Sequence, residues 1–158
     1  MDGDGKMSRG AADALLLELG QRMGLAGLCL DATGCCQLAF DQQWLVTLTH
    51  HAAGGRLVLH CPVSAAGAAD RLGRDTLVAL LEGNFMNRAG ATLAVSPDRR
   101  ACLQIELPLA GADAALLHNA LEQLLNLAET WAQRVQKGEG PLARGAEREP
   151  QAWLAQRV

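Results

Sequence analysis

The sequence has no tyrosine, only two phenylalanines and three tryptophans. A core built from it is therefore aliphatic and alanine-rich, and so is any surface offered to a partner. It has no apolar run of about eighteen residues, which excludes a membrane-spanning helix. The opening MDGDGKMSRG lacks the apolar stretch of a secretory signal. There is no excess of basic residues either. Fourteen Lys and Arg face seventeen Asp and Glu, the net charge is −3 and the pI is about 5.8, so a nucleic-acid footprint is not expected. These absences make cytoplasmic residence the expectation.

Catalytic signatures are missing as well. The five cysteines, Cys29, Cys35, Cys36, Cys61 and Cys102, are odd in number, contain no C-x-x-C pair and include two adjacent residues. That argues against a disulfide framework and for thiols buried as small hydrophobes in a reducing compartment. A zinc site from His50 or His51 with His60 and Cys61 fails on register, because His60 and Cys61 point to opposite sides of a strand. No cysteine carries a nucleophile signature, and the carboxylates Glu82, Glu106, Asp113, Glu122 and Glu129 are scattered. Neither phosphate-binding glycine motif occurs. Arg88-Ala89-Gly90-Ala91 gives only a weak acyltransferase-like reading, and Gly90 is better explained as a helix stop. The expectation is a non-enzymatic protein with no metal or cofactor. A small acyltransferase-like enzyme and a dimerisation module without a client are the alternatives.

At 158 residues the chain has the length of one domain with a real core. Ser8 is read as the N-cap of a first helix reaching about Met23, with Ala12, Leu15, Leu16, Leu19 and Met23 as its apolar stripe. Leu28 and Leu30 alternate in a short strand-like piece, followed by a turn at Asp31–Gly34. Two hairpins follow. A three-residue loop at 41–43 pairs Phe40 with Trp44 and Leu38 with Val46. A tight loop at 52–55 sets Val46 opposite Cys61 and Leu48 opposite Leu59. The apolar faces of the two hairpins agree, which is the strongest local argument for the strands.

From Asp75 the sequence reads as a helix, capped by Asp75 and striped by Leu77, Leu80, Leu81 and Phe85, with Gly83 marking a close backbone approach. Gly90 stops it. Strands around Leu93–Val95 and Leu103–Leu107 flank a turn at Ser96–Arg99, and Pro108 ends the second. Asp113 caps a last helix to about Gln136, striped by Leu117, Leu121, Leu124, Ala128, Trp131 and Val135, and Gly138 stops it. The expected domain is 1–138. Residues 139–158 read as a mobile tail in which Trp153 and Leu154 are the pair able to dock. The class is α+β in the order α-β-β-β-α-β-β-α, with a twisted antiparallel or mixed sheet and helices packed on it.

LVALLEGNFMNRAGATLAVSPDRRACLQIELPL followed by DAALLHNALEQLLNLAETWAQRV resembles the class I type III secretion chaperones, the Tir-chaperone family. The matching features are Leu80-Leu81 with Asn84-Phe85, the downstream Gly90, the Leu107-Pro108-Leu109 strand end, and Ala128-Glu129 with Trp131. Element order agrees over about Ser8 to Val135. Cys35-Cys36 and His50-His51 fall outside the pattern. The resemblance implies a cytoplasmic homodimer that binds the N-terminal segment of a secreted effector, keeping it soluble and secretion-competent. It places the dimer interface at Leu77, Leu80, Leu81, Phe85, Leu93 and Val95. Effector-binding residues are then expected at Leu16, Leu19, Leu28, Leu30, Leu38 and Phe40.

Overall fold

A computed structural model describes residues 3–140. Three helices and five strands follow in the expected order: α1 (Gly3–Met23), β1 (Cys35–Phe40), β2 (Trp44–His51), β3 (Arg56–Pro62), α2 (Arg74–Asn84), β4 (Thr92–Val95), β5 (Ala101–Pro108) and α3 (Ala114–Lys137). The strands form one antiparallel sheet in the spatial order β1-β2-β3-β5-β4.

Register follows from the two hairpin loops. Leu38 faces Val46 and Phe40 faces Trp44 across β1 and β2, while Leu48 faces Leu59 and Thr47 faces His60 across β2 and β3. Leu59 continues to Ile105, and Cys61 to Leu103 and then Leu93. Because side chains alternate, this puts Cys36, Leu38, Val46, Leu48, Leu59, Cys61, Leu103 and Leu93 on one face. That face is the core, buried with Leu16 and Leu19 of α1 and with Leu117, Leu121, Leu124, Ala128, Trp131 and Val135 of α3. Each fully buried aliphatic side chain contributes about 1.5–3 kcal/mol, so the α3 stripe is a principal source of cohesion.

The termini of α3 are as expected. The Asp113 carboxylate accepts from the Leu116 N–H at 2.7 Å, and Gly138, at φ +67°, closes the helix. Gly138 N–H donates to Val135 and Glu139 N–H to Arg134, which is the paired geometry of a Schellman stop. Residues 141–158, including Trp153 and Leu154, lie outside the described residues, as does most of the expected 139–158 tail.

Other boundaries differ from expectation. Ser8 is inside α1, not its cap, because its hydroxyl is engaged by His50 Nε2 at 3.0 Å on β2. Leu28–Leu30 is irregular and pairs with no strand. Gly24 and Gly27 take left-handed backbone there, and the Leu30 N–H is held by the Asp13 carboxylate at 2.9 Å. Gly73, not Asp75, occupies the N-cap of α2; Asp75 sits in the first turn, where its charge suits the helix dipole. That helix ends at Asn84, before Gly90. Phe85–Asn87 form a 3-10 turn in which Met86 and Asn87 adopt positive φ.

Candidate protein-binding surfaces

The inward side of α2 is made of small groups: Thr76, Ala79, Leu80 and Gly83 at i, i+3, i+4 and i+7. Gly83 is there because there is no room for more. A Cβ on it would lie 2.3 Å from Leu93 Cδ1 and 3.2 Å from Trp131 Cζ2. Asn84 then fixes α2 to β4. Its amide donates to the Leu93 carbonyl at 2.9 Å and its side-chain oxygen accepts from the Leu93 N–H at 2.7 Å, so one side chain imitates a neighbouring strand.

This close docking rotates other apolar residues outward. Leu77 and Leu81, one turn apart, are 38% and 71% exposed, Phe85 and Met86 are 66% and 84% exposed, and Val95 on β4 is 42% exposed. Five large apolar side chains on neighbouring elements are thus left uncovered, a concentration unlike the scattered single leucines of an ordinary surface. Of the residues expected at a dimer interface, Leu77, Leu81, Phe85 and Val95 belong to this surface. Leu80 and Leu93 do not, being buried under α2 in the single chain. Met86 was missed. Its signal was the run of two large apolar residues, Phe85-Met86, set between two asparagines that end the helix.

The residues expected to touch an effector divide differently. Leu16, Leu19, Leu30 and Leu38 are core of the single chain and present no surface, because α1 and the loop after it spend their apolar faces on α3 and the sheet. Leu28 and Phe40 are half-buried at the margin.

Phe40 belongs to the terminal strand. The His50 N–H bonds to the Gly34 carbonyl at 2.9 Å, which sets the alternation along β1. Cys36, Leu38 and Phe40 turn their backbone groups to β2; Cys35, Gln37 and Ala39 turn theirs outward. Asp31 occupies the first outward position: its carboxylate accepts from the Cys35 N–H and its own N–H donates to the Cys35 carbonyl. The hydroxyl and N–H of Thr33 and the N–H of Cys35 hold that carboxylate below the usual carboxylate range. No strand of this chain lies beyond Gln37 and Ala39. A recess of about 460 Å³ runs beside them, lined by Gly27, Leu28, Cys29, Asp31, Cys35 and Cys36 among others.

Nothing in the described residues assembles a reaction centre. No group of three or more His, Cys, Asp or Glu could hold a metal ion. Burial depresses the His60 pKa and pushes the Cys61 thiol up to about 11, so both favour their neutral forms. The cysteine expectation holds for Cys36, Cys61 and Cys102 and needs correction for Cys29, which is exposed, and Cys35, which is partly so.

A compact α+β body with an uncovered apolar face and an open sheet edge defines a protein that binds other polypeptides. The chain belongs to the Tir chaperone protein (CesT) family, whose model matches residues 14–132, and is a class I type III secretion chaperone. A chain of the ExsC–ExsE complex superposes with a TM-score of 0.69 at 29% identity, covering 85% of this chain and 97% of that one. The HopA1–SchA chaperone–effector complex gives 0.68 at 20% identity over 80% of this chain and 97% of that one. The type III secretion chaperone SycH of Yersinia pestis, in complex with a fragment of YscM2, gives 0.63 at 20% identity, with 76% and 98% covered. The latter two share the fold. No curated protein matches the sequence.

Proposed function

We propose that this chain is a cytoplasmic, non-enzymatic homodimer that holds the N-terminal segment of a secreted effector in extended form, keeping it soluble and competent for secretion. The observation that carries the reading is the apolar surface of Leu77, Leu81, Phe85, Met86 and Val95, which a single copy leaves in water. Pairing two such surfaces removes them from solvent, so they are assigned to the dimer interface. The client then takes the open edge of β1. Its backbone pairs with Gln37 and Ala39, and its apolar side chains rest beside Leu28 and Phe40, as in strand addition generally. An ordered client segment loses conformational entropy, which favours an extended contact over a small tight pocket.

Co-expression with the effector encoded beside this gene tests the reading. The chaperone is expected to carry an otherwise insoluble effector into solution and to protect its early residues from protease. Gln37→Pro separates client capture from folding. It deletes an outward N–H and leaves the β1–β2 bonds in place, so the circular dichroism spectrum should persist while the client is lost. A soluble, protease-resistant effector in the absence of the chaperone overturns the function. Full capture by Gln37→Pro overturns the edge assignment.

A further inference from the structure

Three of the five cysteines meet at one place. Cys29, Cys35 and Cys36 all line the recess beside β1. Cys29 is exposed on the loop between α1 and β1, and Cys36 is buried on β1 itself. The two are near enough that a thiolate on Cys29 opposes one on Cys36, in addition to the burial that already raises the Cys36 thiol. Cys61 and Cys102 are buried in the sheet and distinct from this group. The described residues offer no metal cluster that would occupy these sulfurs otherwise. The loop also has room to adjust. Gly24 and Gly27 have nothing within 4 Å of an added Cβ, while the Asp13–Leu30 and Asp31–Cys35 bonds anchor its far end.

We infer that Cys29 and Cys36 form a reversible thiol–disulfide site that ties the α1–β1 loop to the edge strand. A peroxide oxidises the exposed Cys29 thiol to a sulfenic acid and is itself reduced to water. The Cys36 sulfur then attacks the Cys29 sulfur, forming the S–S bond and expelling a second water. Two electrons pass from the two thiols to the peroxide, and a dithiol reverses the step by exchange. The bridge narrows the recess beside Gln37 and Ala39. If that edge receives the client, as proposed above, oxidation weakens client capture.

Exposure of the full chain to hydrogen peroxide, followed by alkylation and peptide mapping, tests the site without any client. The expected result is the loss of two hydrogens per chain and a peptide linking Cys29 to Cys36, reversed by dithiothreitol. The link should be absent from Cys29→Ser and Cys36→Ser and retained in Cys35→Ser. Hydrogen exchange of residues 25–34 should slow several-fold in the oxidised chain. A bridge to Cys35, a bridge between chains, or a stable sulfenic acid with no bridge overturns the assignment. For the gating, oxidised chaperone mixed with the co-expressed effector should hold several-fold less of it than reduced chaperone. Equal retention with the bridge mapped overturns the gating alone, because the edge assignment is judged separately by Gln37→Pro.

Discussion

Gly83 illustrates how one missing methyl group sets a whole surface. Alanine is normally favoured over glycine within a helix by about 1 kcal/mol. Here its Cβ would collide with Leu93, which is held in place by the Asn84 amide. Gly83→Ala is therefore expected to lower stability by about 1–3 kcal/mol despite the better helix propensity, measured by urea unfolding. His60 provides a second residue-scale test. It faces Thr47 and Gln104 on the outer side of the sheet, and burial pulls its pKa below 6.5, with Asp98 opposing and Arg100 adding to the shift. The unfolded chain then binds the proton more readily than the folded one. The His60 contribution is intact above about pH 6.5 and declines as the pH falls towards the lower folded value. His60→Gln should flatten the stability–pH curve in that acid window; an unchanged slope refutes the assignment.

At the level of elements, α2 is a helix with two apolar demands. Its small face serves the single chain and its large face is left over. Leu81 is mostly exposed, so Leu81→Glu costs the isolated protomer little, yet would put a carboxylate into any paired interface. Conversion of a dimer to folded monomers is expected by light scattering, with helical content retained. The sequence made the hairpins readable because loop lengths set the parity of every strand residue, and Phe40–Trp44 and Leu48–Leu59 pair accordingly. The α3 stripe was readable because its large residues recur without interruption. The buried side of α2 was not, since Thr76, Ala79 and Gly83 carry almost no hydrophobic signal, and the period of Leu77, Leu81 and Phe85 pointed to the opposite side. Ser8 looked like a cap only because its long-range partner, His50, is invisible to local reading.

For the molecule as a whole, amphipathic periodicity tells that Leu16, Leu19 and Leu38 must be covered, but not by whose atoms. Their own chain covers them, and the partner surfaces had to be found by elimination once the fold was known. What is left uncovered has two chemical kinds. One is an apolar face without directional bonding; the other is a row of backbone donors and acceptors that accepts any sequence able to extend. That division suits a chaperone serving clients of varied sequence, because main-chain pairing reads shape and not side-chain identity.

The Asn84 clamp has a consequence for growth of the sheet. An edge strand with free amides at both ends of a sheet is a template for endless addition. Here the middle of the far margin is already occupied by a side chain that mimics a neighbour, so pairing can proceed in one direction only. A molecule that must solicit foreign strands thereby avoids becoming the seed of a fibre.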